Sequence, residues 1–379
     1  MTGRERFFIA LLILGPATAQ TLHFEDHTIA ADLTGGYQVV PADLNHDGKI
    51  DLIALASGLT ELVWYENPGW QRHVIASNLP HMINCAPYDI DGDGIPEIAI
   101  AYEFSMDASK SIGIVGLLQH QGDPRNPWKL TEIDRLPTSH RLRWANIDGT
   151  GQKVLVNAPL SDAHAQAPDY RGHVPLVYYR PGEWKRVTIS DAEEGIVHGI
   201  YAIDWDHTGR DELLIAGFLG IHLFKLGENS AWSRSEIARG DPAAWPKSGS
   251  SDVTVGKLGK ERFIAAIEPW HGNQVAIYRE RNGAWNREVI DDSILDGHTI
   301  LTTDFKGSGR DQIVAGFRGK PYGVNLYVFD GTKWNRQEID RGGMSSAACA
   351  ISDLDGDGTP ALACIGSATH NLKWYRPQK

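Results

Sequence analysis

Asp43-Leu-Asn-His-Asp-Gly-Lys-Ile-Asp51 is a loop-like stretch that recurs along this chain at intervals of roughly fifty residues. Its clearest second copy is Asp89-Ile-Asp-Gly-Asp-Gly-Ile-Pro-Glu97. The other copies begin at Asn146, Asp204, Asp304 and Asp353, and a shortened, eroded copy begins at Lys257. Seven copies at this spacing are typical of the four-stranded blades of a β-propeller.

Each loop copy lies between segments with the pattern of short β-strands. An apolar or small-residue segment precedes it, as at Tyr201-Ala-Ile-Asp204, and a β-rich segment follows, as at Leu213-Leu-Ile-Ala216. A third segment carries aromatic residues, and a fourth begins with Trp and has an aliphatic residue five positions later, as at Trp70 and Ile75. Such strands, separated by Gly, Asn and Pro turns, predict an all-β fold.

The two ends of the chain predict how the ring closes. The C-terminus stops after a third-strand segment, Leu372-Lys-Trp-Tyr375, while Phe24 and Ile29 have the fourth-strand offset. We therefore expect the N-terminal strand to complete the last of seven blades, which removes exposed sheet edges. The alternative, an open elongated stack of repeats, would leave both partial blades unpaired.

The first nineteen residues have the composition of an export signal. Arg4 and Arg6 precede the apolar run Phe7–Leu14, and Ala17-Thr-Ala19 supplies a cleavage site. We predict a signal peptide at 1–19, one propeller domain at 20–379, and a secreted or periplasmic protein. The run is too short for a stable membrane span, no later segment approaches one, and an uncleaved N-terminal anchor is the alternative.

Charge and cysteine content limit the partners and the redox chemistry. The net charge of −12 argues against nucleic acid and anionic membranes. Cys85, Cys349 and Cys364 allow at most one internal disulfide. Cys349 and Cys364 are expected on neighbouring strands, but their apolar surroundings favour buried free thiols over a disulfide. We expect a monomer.

The repeated loops predict calcium sites, because Ca²⁺ takes six or more oxygen ligands from a loop that glycine allows to turn sharply. The predicted ligands are Asp43, Asn45, Asp47 and Asp51 in the first loop, Asp89, Asp91, Asp93 and Glu97 in the second, and Asp353, Asp355 and Asp357 in the last. Ala361 weakens the last site, and the copy at Asp204 is degenerate. We interpret these loops as structural, with substrate binding as the alternative.

Histidines mark the opposite face. In a propeller the first strand of each blade lines the central channel, so the starts of these strands converge. His140, His198 and His298 each stand six residues before the first loop residue, and His81 stands eight before it. Histidine suits proton transfer or metal ligation. Three or four imidazoles with Asp252 could hold a further divalent metal on the axis, and a ring of solvated side chains is the alternative.

The second-to-third-strand connections share this face and carry Tyr170, Trp270, His271, Arg318 and Tyr322. Arginine binds carboxylates in bidentate fashion, and the aromatic residues could stack on sugars. The combination predicts β-elimination next to a uronic acid carboxylate, which needs charge neutralisation, a base and an acid. Hydrolysis by two carboxylates, drawn from Glu103, Asp169 and Glu268, stays open.

The loop copies resemble the FG-GAP/VCBS repeats of integrin-type propellers over the whole of 20–379. Two stretches, Val197–Asp206 and Ile267–Val275, resemble the propeller of the aldos-2-ulose dehydratase family and of the related rhamnose–glucuronate lyases. This resemblance implies elimination on sugars, with a metal in or near the channel. Because the dehydratases carry further domains, the propeller-only chain favours the lyase.

The sequence therefore predicts a secreted lyase acting on a uronic-acid-containing carbohydrate. The alternatives are a non-catalytic glycan- or protein-binding propeller and a sugar dehydratase. The candidate catalytic residues are His140, Arg143, His198, Tyr201, His271 and His298. The candidate substrate-binding residues are His81, Tyr170, Trp270, Arg318 and Tyr322.

Overall fold

A computed structural model of the chain describes residues 21–378, which form seven four-stranded antiparallel sheets. The predicted signal peptide lies outside the described residues. The inner strands of successive sheets contact one another in a closed cycle, so the fold is the predicted seven-bladed β-propeller. The described residues contain one short 3-10 helix, Ala108–Lys110, and none that could span a membrane.

The strands run from the inner to the outer edge of each blade in chain order. The N-terminal strand is β1 (His23–Ala30). Blade one is β2 (Gly36–Ala42), β3 (Asp51–Ala56), β4 (Leu62–Glu66) and β5 (Gln71–Ala76). Blade two is β6 (Asn84–Tyr88), β7 (Glu97–Tyr102), β8 (Ile114–Gln119) and β9 (Lys129–Arg135). Blade three is β10 (Ser139–Ala145), β11 (Val154–Pro159), β12 (His173–Tyr179) and β13 (Val187–Glu194).

The same order holds in the second half of the ring. Blade four is β14 (Val197–Ile203), β15 (Glu212–Gly217), β16 (Gly220–Leu226) and β17 (Trp232–Ala238). Blade five is β18 (Asp252–Leu258), β19 (Glu261–Glu268), β20 (Gln274–Arg281) and β21 (Ala284–Asp291). Blade six is β22 (Gly297–Thr303), β23 (Gln312–Phe317), β24 (Gly323–Phe329) and β25 (Trp334–Arg341). The remaining strands are β26 (Ser346–Ser352), β27 (Ala361–Gly366) and β28 (Leu372–Gln378).

The N-terminal strand closes the ring. β1 pairs antiparallel with β28, with His23 opposite Gln378 and Asp26 opposite Tyr375, and so becomes the fourth strand of blade seven. This confirms the predicted closure. It also holds the ring closed, because the two chain ends share one sheet and β28 is paired on both of its edges.

The core lies between blades. Every residue of β3, β7 and β11 is buried, because neighbouring blades cover both faces of the middle strands. Outer strands such as β25 consist mostly of half-buried and exposed positions. Each main hydrophobic cluster combines residues of two adjacent blades; Trp64 of β4, for example, packs in one cluster with Ile98 of β7.

A hydrogen-bonded tyrosine links several neighbouring blades. The hydroxyl of a third-strand tyrosine donates to an acidic side chain near the end of the preceding blade's fourth strand. The pairs are Tyr179 with Asp134 (2.6 Å), Tyr327 with Asp291 (2.7 Å) and Tyr375 with Asp340 (2.8 Å). Arg186 of blade three also pairs with Asp134. The acidic side chain therefore joins two neighbouring blades, a contact that the repeat pattern alone does not predict.

The cysteine prediction was wrong. Cys349 of β26 and Cys364 of β27 are directly opposite in the strand register and form a disulfide, with their Cα atoms 4.1 Å apart. An apolar environment favours burial of a thiol but does not exclude pairing when the register places two cysteines face to face. Cys85 is free and buried, and burial raises the pKa of its thiol to about 12.

Candidate functional site

Seven equivalent positions converge on the propeller axis and define what we call the axial layer. Each stands six residues before the first residue of its blade's loop: Tyr37, Ile83, His140, His198, Ser251, His298 and Ala347. Contacts join adjacent blades, as between His140 and His198 with ring centroids 5.0 Å apart, and also cross the ring. The ring centroids of Tyr37 and His298 are 5.3 Å apart, and those of His198 and His298 are 5.0 Å apart. The three predicted histidines are therefore brought together.

A fourth histidine reaches the layer from outside the inner strands. His271 lies in the connection between β19 and β20, and its Nε2 is 3.3 Å from Nε2 of His198. Its ring centroid is 5.1 Å from that of His298. Nη2 of Arg318 lies 3.1 Å from Nδ1 of His271, and Asp296 holds the same guanidinium with Oδ1 3.0 Å from Nη2.

Burial keeps these imidazoles neutral. It lowers the pKa values of His140, His198 and His298 well below the usual 6.5, and the positive charge of Arg141 lowers them further. Burial, followed by the charge of Arg318, lowers the pKa of His271 to about 3. At neutral pH each ring therefore carries one N–H and one lone pair.

The hydrogen bonds assign most of the lone pairs. Nδ1 of His298 contacts the carbonyl oxygen of Ala347, which can only accept, so its lone pair is on Nε2. A guanidinium can only donate, so the lone pair of His271 is on Nδ1 and its Nε2–H points at Nε2 of His198. The remaining proton of His198 is then on Nδ1, 3.3 Å from Oγ of Ser251.

Two imidazole nitrogens of the axial layer are buried without a hydrogen-bond partner among residues 21–378. They are Nε2 of His298 and Nδ1 of His140. Nε2 of His140 lies 3.0 Å from the hydroxyl of Tyr37. Because a buried polar atom without a partner is costly, both nitrogens are suited to receive a ligand atom or a proton.

Three of the histidines fit a metal ion. Ligand nitrogens of His198, His271 and His298 lie within 4.8 Å of one another. His198 and His298 already present lone pairs on Nε2. His271 would need its other tautomer, with Nδ1–H directed towards Oδ1 of Asp296, which is 3.6 Å away. Three imidazoles with a second-sphere carboxylate suit a transition metal.

Above the axial layer lies a pocket of about 490 Å³, which we call the upper pocket. It opens on the face of the second-to-third-strand connections. Its aromatic and polar walls include Tyr37, His81, Phe104, His140, His198, Trp270, His271 and Arg318. The indole N–H of Trp270 is buried with no partner within the described chain. The pocket thus offers an aromatic wall, several neutral imidazoles and a guanidinium.

Two predicted substrate-binding residues do not line the upper pocket. Tyr170 contacts Trp270 edge-on, with ring centroids 5.6 Å apart, but lines an adjacent cavity. Tyr322 lies beside Lys320, whose Nζ is 5.9 Å from the centre of the tyrosine ring.

Below the axial layer lies a second cavity of about 510 Å³, which we call the lower cavity. Arg141, Arg143, Tyr201, Asp252 and His298 line it. Arg143 and Tyr201, two predicted catalytic residues, stand three positions beyond the axial layer along β10 and β14, at about 3.3 Å per residue. The structure therefore separates them from the upper pocket, and only His298 of the candidate catalytic residues lines the same cavity as they do.

Tyr37 and Ser251, which contact His140 and His198, were not among the predicted site residues. Both stand at the same six-residue offset that identified the histidines. The same offset therefore identifies all seven positions of the axial layer, and not only the histidines.

Two of the predicted calcium loops bring three carboxylate side chains close together. Asp89, Asp91 and Glu97 present oxygens within 4.8 Å of one another, and so do Asp353, Asp355 and Asp357. Asp93 lies 2.9 Å from Nε2 of His120.

In the first loop, Asp43 and Asn45 accept hydrogen bonds from the backbone N–H of Asp47. The carboxylate of Asp51 accepts from the N–H groups of Leu44 and Asn67, at 2.9 and 2.8 Å. Burial raises the pKa of Asp51 to about 7.

Comparison with protein families supports both resemblances. Residues 112–282 match the family model described as aldos-2-ulose dehydratase, beta-propeller domain. Residues 43–100 match the FG-GAP-like repeat. These matches confirm the resemblance of the loop copies to FG-GAP repeats and that of the histidine-containing stretches to the aldos-2-ulose dehydratase propeller.

Individual relatives are distant. Aldos-2-ulose dehydratase of Phanerodontia chrysosporium is 24% identical over 299 residues, which are 70% of this chain and 32% of that protein. The chain thus spans about a third of that relative's length.

Solved structures show the same fold. An exotype rhamnogalacturonan lyase, YesX, aligns with a TM-score of 0.51 at 12% identity, covering 90% of this chain and 72% of that one. A lectin of Agrocybe aegerita that recognises non-reducing terminal N-acetylglucosamine aligns with a TM-score of 0.51 at 14% identity, covering 81% of both chains. At these identities the likeness shows the fold alone.

Proposed function

We propose that this protein is a carbohydrate lyase that breaks a carbon–oxygen bond by elimination in the upper pocket. The observation that carries this proposal is the state of His140. It is a neutral imidazole lining the pocket, its Nε2 is fixed by the Tyr37 hydroxyl, and its Nδ1 has no partner among residues 21–378. When Nε2–H donates to the oxygen of Tyr37, the Nδ1 lone pair can accept a substrate proton.

The reaction divides between a base and an oxygen-binding group. His140 removes the proton from the carbon next to a carbonyl group. A carbon–carbon double bond forms as the bond to the oxygen substituent on the next carbon breaks. The protonated His140 then returns the proton to the leaving oxygen, so the imidazole ends neutral. Arg318 binds an oxygen of the sugar, and Trp270 packs against its ring. Tyr37 is a positioning residue, because it acts through His140.

A divalent metal bound by His198, His271 and His298 would polarise the substrate carbonyl and make the adjacent proton more acidic. Those three residues would hold the metal, and His140 would remain available as the base. The carboxylate of Asp296 orients His271 in that arrangement.

The charge of the pocket favours a neutral keto sugar, so the leading form of the proposal is dehydration. Arg318 is the one arginine among the pocket-lining residues of the described chain, and Asp296 already accepts from its Nε and Nη2. The guanidinium is therefore largely neutralised. The match to the dehydratase propeller supports the same chemistry.

Elimination next to a uronic acid is the second candidate. Nη1 of Arg318 has no hydrogen-bond partner among the described residues and could bind one oxygen of a carboxylate. A non-catalytic glycan-binding module would use the same pocket without turnover.

Ultraviolet absorbance of the conjugated product tests these candidates. The purified protein is incubated with aldos-2-uloses and, separately, with uronic-acid glycans. His140→Gln should abolish any rise in absorbance, while His173→Gln, which changes an exposed histidine outside the pocket, should retain it. Binding of these sugars without turnover in the wild type would favour the glycan-binding module instead.

We further propose that the loops at 89–97 and 353–357 bind structural Ca²⁺, and that the first loop does so through Asp43, Asn45, Asp47 and Asp51. The gathered carboxylates of the second and last loops support this. Export to an oxidising compartment is supported by the disulfide between Cys349 and Cys364.

A further inference from the structure

The lower cavity contains more positive than negative charge. Arg141, Arg143 and Lys153 line it, and Asp252 is the one acidic residue among the described residues that do. None of these four side chains lies within 4.0 Å of an oppositely charged group in residues 21–378. Charge inside a protein is costly unless it is paired, and one carboxylate cannot balance the three cationic side chains of this cavity.

The arginines keep hydrogen-bond donors free. Nη1 of Arg143 donates to the carbonyl of Leu142 at 2.8 Å and to Oδ1 of Asn84 at 3.3 Å, while its Nε and Nη2 have no partner among the described residues. Nε of Arg141 donates to the carbonyl oxygen of His198 and Nη2 contacts its Nε2, so Nη1 remains free to donate to a ligand. Both side chains come from β10, two residues apart, so their guanidinium groups enter one cavity.

The two arginines also repel each other. Burial, followed by the positive charge of Arg141, lowers the pKa of Arg143 to about 10. Arg143 therefore stays charged at neutral pH. Asp252 does not relieve this repulsion through contact; its Oδ2 accepts instead from the Ile300 N–H at 3.2 Å.

We propose that the lower cavity binds a small oxyanion, a carboxylate or an inorganic anion such as sulfate or phosphate, between Arg141 and Arg143. The free guanidinium donors supply charge-assisted hydrogen bonds, for which arginine geometry is well suited. This site is separated from the upper pocket by the axial layer, and it does not depend on the proposed reaction.

Thermal unfolding at constant ionic strength tests this site, with sulfate, phosphate and acetate titrated separately against chloride. The wild type should be stabilised saturably by at least one oxyanion, and the tightest one distinguishes an inorganic anion from a carboxylate. Arg143→Gln should weaken that binding by about tenfold or more. Arg239→Gln, which changes an exposed arginine outside both cavities, is the matched control and should bind the anion as the wild type does.

Two further measurements keep the proposal testable if Arg143→Gln does not fold. Asp252→Asn removes the single negative charge and should tighten oxyanion binding several-fold. Crystals soaked in selenate should show anomalous density between the two guanidinium groups. Equal responses of the wild type and Arg143→Gln, unchanged or weaker binding by Asp252→Asn, or selenate density on the outer surface alone would each overturn the proposal.

Discussion

Nε2 of His271 lies 3.3 Å from Nε2 of His198, although the two residues belong to different blades and to different kinds of segment. His198 stands on the inner strand β14, and His271 on the connection that follows β19. Arg318 contacts Nδ1 of His271 and so decides which nitrogen carries the proton. One guanidinium therefore selects between a hydrogen bond joining the two histidines and a metal site.

Metal binding should respond in opposite directions to two substitutions. His298→Asn removes a ligand, so it should weaken Co²⁺ binding by more than the about 10- to 100-fold typical of outer-sphere changes. Arg318→Gln should strengthen binding, because it frees Nδ1 of His271 to carry a proton and leaves Nε2 to the metal. Titration followed by visible absorbance of the cobalt complex measures both. Identical affinities in all three proteins would rule out the histidine site.

The buried histidines should make the protein sensitive to acid. The pKa of His298 is well below 6.5 when folded and near 6.5 when unfolded, so the unfolded state binds more protons between these values. The contribution of neutral His298 to the free energy of unfolding is complete above about pH 6.5. Below that pH it falls by up to about 1.4 kcal/mol per pH unit.

Carboxyls with raised pKa values, such as Asp51 and Glu268, instead increase the stability of the folded state as the pH falls. The effect of His298 is therefore measured as the difference between the wild type and a variant without this histidine. Thermal unfolding is measured with chelator present at about pH 7.5 and at about pH 5.5. The melting temperature of the wild type should fall more than that of His298→Asn. Parallel losses in both proteins would contradict the assigned shift.

The disulfide should contribute measurably to stability. Cys349 and Cys364 are separated by 15 residues, and closing a loop of that length contributes about 3 kcal/mol in the chain-entropy treatment. The Cys349→Ser/Cys364→Ser variant should therefore unfold at lower urea concentration. Reductant should lower the stability of the wild type and leave the variant unchanged, whereas Cys85→Ser should keep the wild type's response to reductant.

Calcium should stabilise the folded ring. If the acidic loops bind Ca²⁺ only when folded, the free energy of unfolding rises by about 2.7 kcal/mol at a concentration one hundred times the dissociation constant. Asp89→Ala should lose part of this gain, because Asp89 belongs to a gathered carboxylate set. Asp123→Ala, an exposed acid outside the loops, should keep it. Calorimetry with calcium and with chelator measures the difference, and a chelator without effect on the wild type would refute calcium binding.

The sequence by itself determined the fold. The loop copies repeat the same local strand pattern seven times, and two complementary partial blades at the chain ends imply closure, as the pairing of β1 with β28 confirms. It also determined that His140, His198 and His298 meet, since equal offsets on equivalent strands reach the same height on the axis. Repetition made these inferences possible, because local spacing becomes position in a ring.

Only the tertiary structure decided what depends on distances between segments that do not repeat. His271 joins the axial layer through an irregular connection, and Arg143 and Tyr201 lie below that layer although they belong to strands that begin near it. The pairing of Cys349 with Cys364 likewise required the register of β26 against β27. Residue spacing fixes height along one strand, whereas side-chain direction, strand register and connection path fix which groups touch.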